Sequence, residues 1–336
     1  MTSVIVKLKL PTLPLLNPKP FSLELIQLQI MTQNDFRNSE ARLGLYLILP
    51  AVVLVILVVI LPIISGIQIS FTSQRVIGSE FETVGLKNYL DLFGDKNFIA
   101  SLGRSAVWVI ANGLFQTVIS LLIALLINQP FRGQNFVRTW ILLPWAVPAA
   151  VTAILWRWMF DATSGIINTS MMGLGVLEKP LLFLANPEIA GISLTFVNSW
   201  RYVPFLTIIF LASLASVPEE ELEAAKVDGA GVWLQFKSIT FPNLLPTLTV
   251  LGLVGTLWAS NVFDIIWMMT RGGPGVSTTT VPVLMYDTAF YGYNISKASA
   301  GAIIFLLLLI IFAIVFIFLN RKQFILANET FKDLSK

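Results

Sequence analysis

Neither cysteine nor histidine occurs in the 336 residues. Without cysteine there is no disulfide, no thiolate ligand and no thiol nucleophile. Without histidine the chain lacks the usual catalytic base, the commonest metal ligand and the side chain that titrates near neutrality. Charge is also scarce. Only 12% of residues are Asp, Glu, Lys or Arg, about half the roughly 25% of a soluble domain. The dipeptide Gly-Lys is absent, so a P-loop that cradles nucleotide phosphates cannot form. These absences remove most common catalytic arrangements, leave no metal site to expect, and deny the chain this route to nucleotide binding.

What is abundant is apolar surface. Hydrophobic residues make up 56% of the chain and the mean hydropathy is +0.79. Such a chain cannot cover its own exterior with polar groups, so the bilayer must be its solvent. Six stretches approach or exceed the ~20 residues needed to cross ~30 Å of hydrocarbon. They lie near 44–70, 105–128, 139–160, 191–216, 246–270 and 298–320. The expected fold is therefore an all-α integral membrane protein with six transmembrane helices. Pro144, Pro148 and Pro204 are expected to kink spans three and four. The net charge of +3 is no sign of nucleic-acid binding, because the basic residues are scattered along membrane borders.

The distribution of Lys and Arg orients these spans. Thirteen lie on one side, among them Arg42, Arg132, Arg138, Lys226, Lys237, Arg321 and Lys322. Six lie on the other: Arg75, Lys87, Lys96, Lys179, Arg271 and Lys297. The imbalance places both termini and the 217–245 loop in the cytoplasm. Residues 1–30 hold no sustained apolar run and no cleavage site of the signal-peptide type. Two readings of them stand side by side: a cytoplasmic tail, or a segment upstream of a natural start at Met31. The expected organisation is a tail over 1–41, a membrane domain over 42–322 and a second cytoplasmic tail over 323–336.

The 217–245 loop carries the most specific signal. Its segment 219–242 opens with Glu219, Glu220, Glu221 and Glu223, passes two alanines, and reaches an Asp-Gly stop at Asp228-Gly229. A second amphipathic piece follows and meets Pro242. The pattern predicts a short helix, a glycine turn and another short helix stopped by proline. The spacing Glu223-Ala224-Ala225, Gly229, Ile239, Phe241-Pro242 resembles the coupling-loop signature of binding-protein-dependent ABC importers, in their membrane-spanning permease subunits. One position departs from that signature, where Phe241 replaces leucine. The resemblance runs from about Arg42 to Lys322 and is nearest to the carbohydrate-uptake branch, the first permease of the maltose, trehalose and glycerol-3-phosphate type. Its further supports are Val84 to Leu102, Leu143 to Phe160, Asn198 to Phe205, and the Gly272-Gly273-Pro274 turn followed by threonines. Arg104-Ser105 stands where the family carries an Asn-Thr pair.

The resemblance implies a multi-pass protein of the bacterial inner membrane that is not an enzyme. It implies a second permease subunit, with a heterodimer expected, two cytoplasmic ABC ATPase subunits and an extracytoplasmic solute-binding protein. The chain would bind no cofactor; ATP would be used by the ATPase subunits. The coupling-loop residues would be Glu223, Ala224, Ala225, Asp228, Gly229, Ile239 and Pro242. A self-powered secondary transporter is disfavoured, since no internal repeat is evident and the coupling loop would be unexplained.

Polar groups inside spans are candidate functional groups because they are costly there. Arg201 lies about 15 Å into span four at 1.5 Å per residue. Span five carries Trp258, Asn261, Asp264 and Trp267 at three-residue spacing, which drifts slowly around one helical face. Asn261 and Asp264 reach depths comparable to Arg201, so an Arg201–Asp264 pair across two helices is open to formation. Aromatic faces beside amide, acid and guanidinium groups suit a sugar. In the resembled family span-five asparagines line the sugar site, and Asn261 falls at such a position. The substrate pathway is expected along Arg201, Trp258, Asn261, Asp264 and Trp267. Which sugar or polyol derivative it admits stays open.

Overall fold

The computed structural model describes residues 43–44 and 46–325. The Met31 start, the 1–41 tail and residues 326–336 of the C-terminal tail lie outside the described residues. Two compact units divide the chain, Met1–Ile64 and Ser65–Lys336. Among the described residues the regular structure is helical; the sole β-type pairing is an isolated bridge between Thr72 and Thr83. Five helices are long and apolar enough to span a bilayer: α1 (Tyr46–Ser70), α3 (Lys96–Asn128), α8 (Pro187–Leu214), α10 (Val232–Ser260) and α13 (Ile295–Leu319). A sixth span arises if α4 (Gln134–Trp140) and α5 (Leu143–Ala146) are taken with α6 (Ala149–Met159) across a 90° bend. The shorter helices are α2 (Lys87–Phe93), α7 (Ile166–Gly173), α9 (Glu219–Val227), α11 (Asp264–Thr270) and α12 (Val281–Phe290).

The third span thus departs from the single helix expected over 139–160. Pro148 is responsible. A proline disfavours helical geometry in the residue before it, and Val147 is extended (φ −73°, ψ 128°). Pro204 behaves differently and stays inside an uninterrupted α8. Pro242 does not stop its helix either, contrary to expectation. The second piece of the 219–242 hairpin runs on as α10, through a widened π turn at Phe236–Thr240. Both π turns among the described residues end two residues before a proline. They cover Ile56–Ile60 before Leu61-Pro62, and Phe236–Thr240 before Phe241-Pro242. Proline lacks the N–H for the i−4 carbonyl and its ring crowds that carbonyl. A five-residue turn, closed by Phe241 N–H to the Phe236 carbonyl, makes room for the ring without ending the helix.

Three spanning helices begin on an Asx cap. Asp95, Asn186 and Asn294 each accept a bond from a backbone N–H in the first turn, of Asn97, Glu188 and Lys297. These caps satisfy donors that the helix leaves open. α3 and α8 run parallel and share buried polar contacts. Ser120 Oγ donates to the Val203 carbonyl at 3.0 Å, and Asn198 Nδ2 to Asn112 Oδ1 at 2.7 Å. Apolar clusters flank this seam. One joins Trp108, Trp156, Leu194, Ile265 and Ile266. Another, at the far end of α8, joins Ala124, Ile127, Phe210, Leu214 and Leu244.

The Gly-Gly-Pro turn is closed by its own threonines. Thr279 Oγ1 donates to the Gly272 carbonyl and Thr278 Oγ1 to that of Gly273. Gly272 has φ +85°, and a Cβ there would sit 2.5 Å from Thr279 Oγ1. Both facts demand glycine. The departure at Arg104-Ser105 has a place in this arrangement. Arg104 Nε donates to the Thr279 carbonyl at 2.7 Å, and Ser105 Oγ accepts from Val281 N–H at 2.9 Å. Together they tie α3 to the start of α12.

One ion pair occurs among the described residues, Lys297 Nζ to Asp95 Oδ2 at 2.8 Å. It joins the first turn of α13 to the cap of α3. The Lys297 hydrogen bond, aided by the Asn97 N–H, holds the Asp95 carboxyl below its ordinary value despite some burial. A depressed carboxyl contributes stability that is present above its unfolded value and lost as pH falls through the folded one. Asp95→Asn is therefore expected to cost about 0.5–1 kcal/mol at neutral pH. The gap in thermal stability between variant and parent should close below about pH 3.9. A gap independent of pH would show that the pair contributes nothing.

Candidate functional site

Two helix breaks face each other inside the bundle. The first is the Val147-Pro148 bend. The second lies at Asn261–Phe263, where α10 ends and α11 begins. Span five is thus not the continuous helix expected over 246–270. Breaks at membrane depth free backbone carbonyls that hydrocarbon cannot satisfy. Here side chains satisfy them. Arg201 Nε donates to the Val147 carbonyl at 3.1 Å. Trp108 Nε1 donates to Ala259 O at 3.0 Å, and Asn261 Nδ2 to Leu257 O at 2.8 Å.

Between the breaks lies a cavity of about 470 Å³. Arg201, Trp258, Asn261 and Asp264 line it, with Trp145, Asn198 and Tyr202. Arg201 sits 14 residues into α8, about 21 Å along its axis, and its guanidinium lies 5.1 Å from the Tyr202 ring centre. Trp145 stacks on Phe205 at 5.0 Å, and Trp258 is 6.0 Å from the same ring. One wall is therefore aromatic, and the rest is amide, carboxylate and guanidinium.

The direct Arg201–Asp264 pair is not formed, since the one ion pair among the described residues is Lys297–Asp95. Both groups line the same cavity instead. Trp267 does not line it. It stacks on Phe263 at 5.6 Å and packs edge-on against Tyr286 at 4.7 Å. The three-residue spacing holds these positions on one face only in a continuous helix. The break at 261–263 resets the phase and turns Trp267 away.

Sequence reasoning missed the amides of α3 and α8. Asn112 and Asn198 are both fully buried. Gln116 Nε2 and Asn198 Nδ2 donate to Asn112 Oδ1, and Asn112 Nδ2 to the Trp108 carbonyl. Asn198 Oδ1 is buried and accepts no hydrogen bond among the described residues. Such an orphan acceptor is rare and asks for a donor. Asn198 also lines a smaller cavity of about 140 Å³ that shares Tyr202 and Trp258 with the larger one. Uncharged amides within apolar runs carry the signal, which ionisable groups alone do not reveal.

The 219–242 hairpin forms a separate feature. α9 carries Glu219, Glu220 and Glu221 in its first turn and Lys226 in its last, matching the helix dipole at both ends. It ends in a Schellman motif: Gly229 N–H bonds Lys226 O, Ala230 N–H bonds Ala225 O, and Gly229 has φ +79°. This is the positive φ that the motif requires. Glu223, Ala224, Asp228 and Pro242 are exposed; Ala225 and Ile239 are half-buried. Beside them stand apolar side chains left in the open: Val227 88%, Val232 84% and Trp233 74% exposed. Space around Gly229 is free, so conformation alone constrains it. Gly229→Ala should cost about 1–2 kcal/mol, while Gly231→Ala, at φ −68°, should cost far less. Hydrogen exchange at residues 229 and 230 checks this. The expected rise is roughly 5- to 30-fold for the first variant; equal exchange in both would rule out the left-handed cap.

Residues 116–324 match the family described as binding-protein-dependent transport system inner membrane component. A probable ABC transporter permease protein of Brucella suis is 35% identical over 278 residues, 83% of this chain and 96% of that protein. The trehalose/maltose transport system permease protein MalF of Thermococcus litoralis is 34% identical over 291 residues, 86% and 97% of the two chains. Among solved structures, a chain of a bacterial ABC transporter involved in the import of the acidic polysaccharide alginate shares the fold. The TM-score is 0.74 at 22% identity, covering 86% of this chain and 99% of that one. With spanning helices, helix breaks around a polar cavity and matches along nearly the whole length of its relatives, the chain belongs to the binding-protein-dependent transport system inner membrane components, the multi-pass permease subunits of ABC importers.

Proposed function

We propose that this permease subunit forms, with a second and different permease, the pathway for a sugar or sugar-like solute. The observation that carries the substrate class is the cavity between the two helix breaks. Trp145 and Trp258 offer faces for the apolar side of a sugar ring, while Arg201, Asn261 and Asp264 reach hydroxyl groups. The orphan Asn198 Oδ1 supplies an acceptor that a sugar hydroxyl satisfies. The names of the trehalose/maltose relative and of the sulfoquinovosyl glycerol permease of Agrobacterium fabrum support the same class. The match to the former covers 86% of this chain and 97% of that protein.

Energy enters from elsewhere. Two cytoplasmic ABC ATPases hydrolyse ATP, and an extracytoplasmic solute-binding protein delivers the solute. The α9 hairpin seats in a cleft of one ATPase. Its exposed Val227, Val232 and Trp233 are covered there, and Glu223 meets a basic residue through a charge-assisted bond. Transmission then needs no relay of loops. α10 is a single helix of 29 residues from Val232 to Ser260, about 44 Å long. It begins at the hairpin and ends at the break that holds Asn261. A tilt imposed at one end moves the cavity wall at the other. In this reading both termini and the hairpin are cytoplasmic, in line with the excess of Lys and Arg on that side.

Two experiments test the reading. Asn261→Ala should raise the half-saturation of uptake, or lower its rate, about 2- to 13-fold, with complex assembly and basal ATPase unchanged; silence in uptake would remove Asn261 from the pathway. Orientation is tested with single cysteines, for which the native chain gives no background. Phe93→Cys, Leu182→Cys and Val276→Cys should react with an impermeant thiol reagent from outside, whereas Phe136→Cys and Val232→Cys should not. All five positions are exposed. The reverse pattern would invert the topology.

A further inference from the structure

We propose that a second groove, on the α3–α8 seam, is a binding site for a zwitterionic phospholipid of the ethanolamine type. Its volume is about 660 Å³, and it lies apart from the cavity between the helix breaks. It runs along α3 from Ala100 to Phe115 and along the first two turns of α8, closed at one end by Ser277, Thr278 and Thr280.

The groove is amphipathic along its length. At its closed end stand one cation and one anion, Arg104 and Glu188, which line the same space without forming an ion pair. Arg104 spends its Nε on the Thr279 carbonyl. Its Nη groups have no protein acceptor among the described residues and remain for a ligand. Two hydroxyls line the same end with no partner among the described residues, Ser277 Oγ and Thr280 Oγ1. Thr280 is only 4% exposed, so its hydroxyl has little access to water and needs a ligand to bond. Toward Phe115, about 16 Å along α3 from Arg104 at 1.5 Å per residue, the lining becomes Val107, Ala111, Phe115 and Ile192. Val107, Phe115 and Ile192 are exposed apolar side chains on spanning helices, where hydrocarbon is the surrounding medium.

A ligand that fits has a charged head holding both signs and a long apolar tail. Phosphate on the Arg104 guanidinium is the bidentate, charge-assisted pairing that arginine favours. An ammonium on Glu188 neutralises the carboxylate. The two hydroxyls bond the phosphate or ester oxygens, and an acyl chain follows Val107, Ala111 and Phe115. A purely anionic head would leave Glu188 opposed to its charge, and a neutral sterol or hydrocarbon would leave Arg104 unpaired. The chemistry therefore selects phosphatidylethanolamine over phosphatidylglycerol.

The test uses the complete transporter in nanodiscs that hold both lipids in equal amounts, followed by native mass spectrometry of the lipid retained. The wild type should keep phosphatidylethanolamine in preference. Arg104→Gln should lower that retention about tenfold or more. Glu188→Gln, at an exposed position that leaves the fold intact, should abolish the preference between the two lipids. Thr280→Val, which keeps side-chain size and removes only an unbonded hydroxyl, should lower retention while leaving thermal stability in detergent unchanged. Equal retention of both lipids by the wild type, or a preference undisturbed by Glu188→Gln, would overturn the proposal. So would a high-yield disulfide between Ile192→Cys and a cysteine on the second permease, which would make the groove a subunit contact.

Discussion

Inside hydrocarbon no bulk water is available to a backbone carbonyl, so each break in a spanning helix must be answered by a nearby polar group. That constraint organises the centre of this permease. The Val147-Pro148 bend needs a donor, and Arg201 supplies it from α8. At the end of α10, Asn261 Nδ2 serves the Leu257 carbonyl, and Trp108 Nε1 joins the Val262 N–H on that of Ala259. Arg157 Nη1 serves the Met268 carbonyl near the end of α11 in the same manner. Arg201 and Asn261, having met the backbone with one group, present the rest of their side chains to the cavity that the breaks open. The polar site and the repair of the broken helices are thus one structure, and its arginine is held without a carboxylate partner.

The two ends of the Ser65–Lys336 unit are built on opposite principles. Where α3, α8 and α13 begin, polar ties are dense. Asx caps start all three helices, Lys297 meets Asp95, and Arg104 and Ser105 grip the segment after the Gly-Gly-Pro turn. Where α8 ends, the α9 hairpin is held by its own Schellman turn and carries its apolar residues outward. The unit thus has one end tied by polar contacts and one end whose apolar residues lie open.

Much of the fold was legible in the residues. Apolar runs of ~20 residues must become helices in lipid because no other open structure closes its own hydrogen bonds, so the spans at 46–70, 96–128, 187–214 and 295–319 fall close to expectation. The start of α10 did not. Pro242 reads as a stop, and only the π turn before it, paired with the same device before Pro62, shows how a helix passes a proline. The site was legible in part. Arg201, Trp258, Asn261 and Asp264 meet in one cavity, but the reading assumed an unbroken helix and so included Trp267. It also overlooked Asn112 and Asn198, whose importance lies in pairing across two helices 86 residues apart.

Composition and spacing determined by themselves that this chain lives in a membrane, that thiol and imidazole chemistry are beyond it, and that a short acidic helix and a glycine turn separate its fourth and fifth spans. Those properties are local, set by hydropathy, by residue inventory and by backbone sterics within a few residues. Tertiary structure decided which carbonyls Arg201 and Trp108 would satisfy, that Arg201 and Asp264 would share a cavity without pairing, and that Arg104 and Glu188 would line a groove unpaired. Each of these depends on where one helix breaks relative to another. A one-dimensional pattern carries the tendency to break, as at Val147-Pro148, but the partner that meets the break comes from a distant segment that only packing brings near.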